Sequence, residues 1–557
     1  MKKSIYDKYI IGISYGFHDS AVALIKNGKV LNAVEEERFT GIKHDNSFPI
    51  NSINWILKNN NISGKDISAV CYYENPKLKY DRDKKSYWKY FWKNPFKFPK
   101  KTNSLEHFDY IFPNAKIFIG NHHLSHLAYS YFTSDFDESA ILSVDGVGEW
   151  DTTVLASGKN NIITRHSEVV YPHSLGLLYS TITAFLGFKP NEGEYKVMGL
   201  APYGSHLLHD KMFDELIKET DDGFELNMEY FSYHYSDKIM FNTKLSKLLG
   251  IPNRLPEEPI NDVHKNISSA LQYTYEKHFF RLLNKLHEKT KSKNLCLSGG
   301  CAYNGTANGK IQSRTPFKNI WIPPAPSDAG SAIGAALNYW NHMTNDRKEN
   351  KTPFLGPSEK ILDVVSVVKE NDDKIFYEAL SDNELLPKVA KLISEGNIIG
   401  WVSGQLEFGA RALGNRSILA APQDPKMRDK LNLVVKKREG FRPFAPSVTE
   451  EEATRFFDIK EPVPYMNIVV KSKTKKIPSA THIDMSARVQ TVNEKQNKKY
   501  YLLLKEIKKL TGSPILLNTS FNLKDQTITL TPDQAIERFL NSRIDFLVIN
   551  NYLIQKV

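Results

Sequence analysis

One pattern, strand, polar turn, strand, hairpin and strand, occurs twice in the N-terminal part of the chain and limits it to few architectures. Tyr9 to Tyr15 is an apolar strand, the turn Gly16-Phe17-His18-Asp19 follows, Ser20 to Ile25 is a second strand, and Asn27-Gly28 is a type I′ turn signal leading into Val30 to Val34. The same grammar returns at Ala140 to Val144, with the turn Asp145 to Gly148, the strand Thr152 to Ala156, then Gly158 and Ile162-Ile163. Two unrelated β-hairpins would satisfy the alternation. The acidic residue at the first turn in both copies, Asp19 and Asp145, argues instead for one module used twice.

Such a duplicated module, followed by helices, resembles the ribonuclease-H-like halves of actin-like (ASKHA) and sugar-kinase domains, an α/β fold whose two turns face a nucleotide. Helical periodicity runs from Ile260 to Lys289, and the buried strand Leu295-Cys296-Leu297 empties into Ser298-Gly299-Gly300. Paired glycines before a helix clear side chains from its N-terminus, where free N–H groups attract phosphate. Gly-Gly alone is weak evidence. Gly330 and Gly334 beside Asp328 complete a plausible cleft.

Asn121-His122-His123-Leu124-Ser125-His126 places His122 and His126 at i and i+4, on one face of a helix. Alone, this spacing more often marks ordinary helical histidines. Asp145 and Asp328, both in glycine-bearing turns, add two hard oxygen donors, and a set of two His and two Asp favours iron or another first-row ion over a thiolate zinc site. The three cysteines, Cys71, Cys296 and Cys301, are too few and too irregularly spaced for a disulfide framework or a CxxC zinc site.

At 557 residues the chain exceeds what one core usually holds. We expect an N-terminal domain over 1–355, a charged stretch of linker or domain edge from Arg347 to Lys374 punctuated by Pro353, Gly356 and Pro357, and a second domain over 375–557. There, Leu386 to Ile393 reads as a helix, and Ile398 to Val402 and Pro514 to Leu517 as strands. No apolar run approaches a bilayer span and the N-terminus lacks a signal-peptide core, so a cytoplasmic location is expected. The net charge of +11 suits nucleic acid, and equally an enzyme handling several phosphates. The most basic stretch, Lys77 to Lys101, interleaves lysines with aromatics. Base stacking is one reading; a helix and loop with packed aromatics and solvated lysines is the one we favour.

In the second domain arginines stand beside glycines, in Gly404 to Ser417 with Arg411 and in Lys436 to Pro446 with Arg442; a further set, Asp484 to Thr491, holds Arg488. A guanidinium forks onto phosphate or carboxylate through parallel donors, so this grouping suits a polyanion. Surface arginine–glutamate pairing would explain most such clusters, but not the stiff Gly, Pro and Phe contexts of Arg411 and Arg442.

Gly16 to Ala21, Glu35-Glu36-Glu37-Arg38-Phe39, Lys43-His44, the HHxSH run, Gly193 to Ala201, Leu297 to Gly300, Gly404 to Ser417, Phe441 to Pro446 and Asn518 to Asn522 together resemble the nodulation-type and antibiotic-tailoring O-carbamoyltransferases. The resemblance spans nearly the whole chain. It implies a threonylcarbamoyl-transferase-like N-terminal domain and a YrdC-like C-terminal α/β domain, the latter making carbamoyl-adenylate from carbamoyl phosphate and ATP with Mg²⁺, the former passing the carbamoyl group to a small-molecule or natural-product hydroxyl. His122, His126, Asp145 and Asp328 would hold Fe(II) or a similar ion. His18 would take the acceptor's proton and Lys43 would neutralise the departing AMP. Lys196, Gly299, Gly300 and Asn304 would frame the nucleotide, and Arg411, Lys436, Arg442, Arg488, Asn518 and Ser520 would bind carbamoyl phosphate and ATP.

Two departures fall near the C-terminal pocket. Met485 stands where the pattern has glycine, and Leu523-Lys524-Asp525-Gln526 replaces a Gly-Glu-Pro-like turn. Rival readings are an actin-like-fold small-molecule kinase, which leaves the arginine-rich domain without a task, and a tRNA-modification-related nucleic-acid-binding protein. The expected partners are small molecules, not nucleic acid or membrane, and a homodimer is compatible.

Overall fold

The computed structural model describes residues 6–90, 105–358, 361–371 and 373–557. They fall into two units, residues 1–31 with 47–351, and residues 32–46 with 352–557.

The first unit contains the repeat. Strands β1 (Tyr9–Ser14), β2 (Ala21–Lys26), β3 (Lys29–Glu35, which belongs to this unit only as far as Leu31), β4 (Ile67–Tyr72) and β5 (Lys116–Ile119) make a sheet of order β3-β2-β1-β4-β5. β1 is antiparallel to β2 and parallel to β4, which is parallel to β5. The second sheet repeats this order with β8 (Ile162–Val170), β7 (Asp151–Lys159), β6 (Glu138–Val144), then Asn294–Ser298 and Asn319–Trp321. Again the first three strands are antiparallel and the last two join in parallel. The central strands β1, β2 and β6 are buried along nearly their whole length, which is why they read as continuous apolar runs. The duplicated ribonuclease-H-like module of the sequence is therefore present, and the chain is α/β.

Helices His122–Phe132 and Asp328–Thr344 pack against each other in this unit. They come close because Gly330 and Gly334 offer no side chain: a Cβ at 334 would overlap the Ser125 carbonyl, and one at 330 the Tyr129 ring and the Ala325 carbonyl.

The second unit is an eight-stranded mixed sheet ordered Ile375–Ala379, Tyr552–Lys556, Phe546–Ile549, Ile399–Val402, Arg416–Ala420, Ile515–Ser520, Ala445–Thr449 and Gln490–Val492. Alternate residues supply two cores. Val402, Ile418, Leu517 and Leu547 pack on one face with helices Ile361–Glu370 and Pro532–Leu540, and Trp401, Leu419, Leu516 and Val548 on the other with helices Asp382–Ser394 and Lys498–Thr511.

Two expectations about organisation need correction. The stretch from Arg347 to Lys374 is not all linker: Ile361–Glu370 is a helix whose Val364, Val367 and Val368 are buried. Its β-branched valines have low helix propensity, and burial of that face overrides it. The second difference concerns residues 32–46, which the sequence places inside domain 1–355. They belong to the second unit, where the Ala33 N–H and the Asn32 amide donate to the Leu355 carbonyl. No helix among the described residues is long and apolar enough to cross a membrane.

Candidate metal centre and anion cradle

The helix His122–Phe132 begins at Asn121, whose side chain accepts from Leu124 N–H. The Glu149 carboxylate accepts from His122 N–H at 3.0 Å and from the Asn121 amide at 3.1 Å, so this helix start is held by a negative group where the backbone dipole favours one. Gly148 is needed here, since a Cβ would press on the His122 ring. At the facing element, Asp328 is the first residue of its own helix.

This geometry brings His122, His126, Asp145 and Asp328 together, with one donor atom from each lying within 4.8 Å of the others and all four side chains buried. His122 Nε2 lies 3.1 Å from His126 Nε2 and 3.0 Å from Asp145 Oδ2, and His126 Nε2 lies 3.4 Å from Asp328 Oδ1. Both carboxylate oxygens of Asp328 are buried without a hydrogen bond. The nearest nitrogens to those oxygens are imidazole ones, of His126 at 3.4 Å, His122 at 3.6 Å and His18 at 3.8 Å. A divalent cation would satisfy Asp328 and let two neutral imidazoles face each other. The donor set fits such an ion.

The outer sides of the ring pair are also engaged. Ser331 Oγ is 3.0 Å from His126 Nδ1, while the buried Glu74 carboxylate lies 3.7 Å from His122 Nδ1 and accepts from Lys79 Nζ at 2.7 Å. Asp145 Oδ1 accepts from Gly300 N–H at 2.7 Å. Burial alone would depress the two imidazoles, but the Asp328, Asp145 and Glu74 carboxylates outweigh it at His122, and Asp145 and Asp328 do so at His126, so both are raised. Burial would raise Asp145, yet the two imidazoles hold it well below the usual carboxylate range. Glu74 is held down to about 2 by His122 and Lys79 against the opposing effect of burial.

His18 Nδ1 is 3.0 Å from Asp19 and its Nε2 3.8 Å from Asp328 Oδ2. Burial would lower this imidazole, but Asp328 and Asp19 raise it to about 10. On helix Pro76–Tyr90, which carries the described part of the basic stretch, Lys77, Lys84, Lys85 and Lys89 are exposed, as expected, while Arg82 is buried and Trp88 is exposed. Arg82 donates to the Gly148 carbonyl, and Lys85 sits 5.3 Å over the Trp150 ring. Residues 91–101 of that stretch lie outside the described residues.

The predicted nucleotide frame is partly committed elsewhere. Gly299 has φ 88° and a Cβ there would strike the Val144 backbone, Gly300 N–H is bonded to Asp145, and Asn304 caps its helix and bonds Gln272. Lys196 lies 5.6 Å over the Phe188 ring.

In the second unit a wide π-helical turn, Lys430–Val435, delivers Lys436 into the protein. Its buried Nζ donates to Ser520 O at 2.5 Å and to Asn522 O and Oδ1, each at 2.8 Å. Burial, with the charges of Arg438, Arg442, Lys43 and Arg538, pushes this amine well below its ordinary value. Strand Ile515–Ser520 ties the other candidates to this point: Asn518 donates to Ala412 O, next to Arg411, and to Gln490 Oε1, two residues from Arg488, and Ser520 Oγ bonds Asn522 Oδ1.

Lys43 falls in the second unit, where its charge acts on Lys436. Both departures from the family pattern have structural counterparts. Met485 sits at φ 62°, a left-handed position that glycine takes at little cost. In the 523–526 turn, Asn522 Nδ2 donates to Gln526 O, and Leu523 N–H to Gln526 Oε1.

Sequence reasoning assigned no role to Glu74, Ser331, Glu149 or Asn522. Glu74 directly follows a predictable apolar strand and carried a readable signal, an isolated acidic residue after Tyr72-Tyr73. The others had none.

Comparison with known proteins gives matches along almost the entire length. Residues 9–337 fit the family model for the carbamoyltransferase N-terminus and residues 390–556 that for the carbamoyltransferase C-terminus. The chain is 40% identical to an uncharacterized protein of Synechocystis sp., over 98% of this chain and 97% of that one. It is 36% identical to the nodulation protein NolNO of Sinorhizobium fredii, over 97% of this chain and 79% of that protein. It is also 34% identical to the nodulation protein NolO of Bradyrhizobium diazoefficiens, over 78% and 79%. Among solved structures, component A of the Acidaminococcus fermentans (R)-2-hydroxyglutaryl-CoA dehydratase is a distant likeness, with 14% identity, TM-score 0.35, and coverage of 60% of this chain and 99% of that one.

Proposed function

The chain belongs to the carbamoyltransferase family, and from that premise we propose that it is an ATP-dependent O-carbamoyltransferase working in two steps. In the second unit, read as YrdC-like, carbamoyl phosphate and water give carbamate and phosphate. A carbamate oxygen then displaces pyrophosphate from the α-phosphorus of ATP and yields carbamoyl-adenylate. In the first unit, the hydroxyl of a small-molecule acceptor attacks the carbamoyl carbon, AMP leaves, and the proton is taken up nearby. Activation is required because carbamate is a poor electrophile with a poor leaving group.

The observation that carries the reading is the buried quartet in the first unit, two imidazole nitrogens 3.1 Å apart beside an unsatisfied Asp328 carboxylate. His122, His126, Asp145 and Asp328 would hold an Fe(II)-like ion, which supplies Lewis acidity toward an anhydride oxygen. In this reading His18 takes the acceptor's proton once an ion in the quartet has lowered its proton affinity. Neutralising Asp328 and Asp145 removes two of the three carboxylates that raise His18, so proton uptake and occupancy of the quartet are coupled. In the second unit Lys436, Arg442 and Lys43 neutralise phosphate charge, and Arg411, Arg488, Asn518 and Ser520 complete the pocket.

The test is an acceptor-free incubation with ATP, Mg²⁺ and carbamoyl phosphate, followed by mass spectrometry and pyrophosphate detection. Carbamoyl-AMP and pyrophosphate are expected. Arg442→Ala should abolish both, whereas His122→Ala should leave them and stop transfer to an added acceptor. ADP as the nucleotide product would favour the kinase reading and overturn this one.

A further inference from the structure

The residues 32–46 that join the second unit place a buried charge cluster against the loop carrying Arg411. Glu35 Oε1 accepts from Gly409 N–H at 2.7 Å, and Arg38 Nη2 donates to the Gly409 carbonyl at 2.9 Å, so both polar groups of one loop residue are held by this segment. Arg38 is in turn fixed by Glu35 at 3.3 Å and Glu37 at 2.7 Å. Glu35 and Arg38 are only 4% and 3% exposed, which means that the network works in a low-dielectric setting. Further along the loop, the Glu407 carboxylate accepts from Leu413, Asn415 and Arg416 N–H groups, at 2.7, 2.8 and 3.2 Å. Arg38 also feels the Glu407 charge.

The loop is therefore clamped at Gly409 on one side of Arg411 and at Leu413 on the other. A surface loop needs no such construction. Two buried carboxylates and a buried guanidinium are an expensive way to fix a backbone, and the residue they bracket is the arginine assigned to the polyanion.

We propose that Glu35 and Arg38 are positioning residues for Arg411, so that the segment 32–46 is a working part of the nucleotide- and carbamoyl phosphate-binding site and not a connection. Glu35 fixes Gly409, Gly409 sets the direction of the backbone two residues on, and that direction aims the Arg411 guanidinium. The inference rests on the functional reading above for the identity of the anion, but the clamp can be tested by binding alone.

The experiment uses the full-length chain. ATP·Mg²⁺ affinity is measured by calorimetry, and KM and kcat by pyrophosphate release, for wild type, Glu35→Ala, Glu35→Gln, Arg411→Ala and the Glu35→Ala/Arg411→Ala double variant. Glu35→Ala should weaken ATP binding and raise KM by about 10-fold, as for loss of a buried hydrogen bond to a charged group, with kcat changed far less. Glu35→Gln keeps an oxygen for Gly409 N–H and should recover most of the loss. The double variant should be no weaker than Arg411→Ala, because two residues that act through one group are not additive. Unchanged affinity in Glu35→Ala, additive losses in the double variant, or no recovery with glutamine would each overturn the proposal. If the wild-type product were ADP, the functional reading would fail while the affinity series still decided the clamp.

Discussion

The two candidate sites are built with opposite deficits. In the first unit, two carboxylates and two imidazoles converge and the Asp328 oxygens accept no hydrogen bond. In the second, burial and the charges of Arg438, Arg442, Lys43 and Arg538 push the Lys436 amine well below its ordinary value. In our reading a cation completes the first and an anion the second. The difference teaches that preorganisation can be read from unpaid electrostatic cost: where like charges are held together in a dry interior, a counter-charge is part of the design.

The largest effect should come from breaking the first site. Asp328→Asn removes a charge but keeps the shape, and bound metal, measured by elemental analysis of the purified protein, should fall at least about 100-fold in affinity. ATP binding in the second unit should be unchanged. Retained metal in this variant would show that the quartet is only a buried hydrogen-bonding cluster.

A smaller change should follow at Glu74, which lies behind His122 and is itself held by Lys79. Glu74→Ala should weaken metal affinity by about 10- to 100-fold, the usual range for a carboxylate behind a histidine ligand, with Glu74→Gln intermediate. Equal metal affinity in all three proteins would reduce Glu74 to a partner of Lys79.

The smallest effect concerns stability and sharpens the contrast between units. His278 on helix Asp262–Thr290 is buried with neither ring nitrogen bonded, and burial, with some help from Lys277, lowers its pKa to about 4 from 6.5. The folded state therefore binds this proton less readily than the unfolded chain. Its contribution is complete above pH 6.5 and is lost as pH falls toward 4, by at most about 3 kcal/mol. His278→Phe should flatten the fall in melting temperature of the first unit across that window; an identical pH profile would refute the assignment.

Much of this was legible in the sequence for identifiable reasons. Repeated alternation around Asp19 and Asp145 reports a duplicated sheet because strand periodicity is local. The i, i+4 spacing of His122 and His126 reports a shared helical face for the same reason. The helix at 260–289 and the strands at 398–402 and 514–517 were found within a few residues, as Asp262–Thr290, Ile399–Val402 and Ile515–Ser520. What sequence could not supply depends on distant partners. Glu35 meets Gly409 across 374 positions, and no local pattern announces that residues 32–46 join the second unit. The helix Ile361–Glu370 was hidden by valines whose intrinsic preference points elsewhere.

The close crossing at Gly330 and Gly334 has a bearing on selectivity. At Gly334 main chain meets main chain, so the separation of the two helices there is set by atoms that no rotamer can move. The spacing of Asp328 from His122 and His126 is therefore tied to the crossing, since these three residues lie on the two helices. Ions should be sorted by radius before they are sorted by donor preference, and a single methyl group at position 334, pressing on the Ser125 carbonyl and not on any of the four donors, should change which one is accepted.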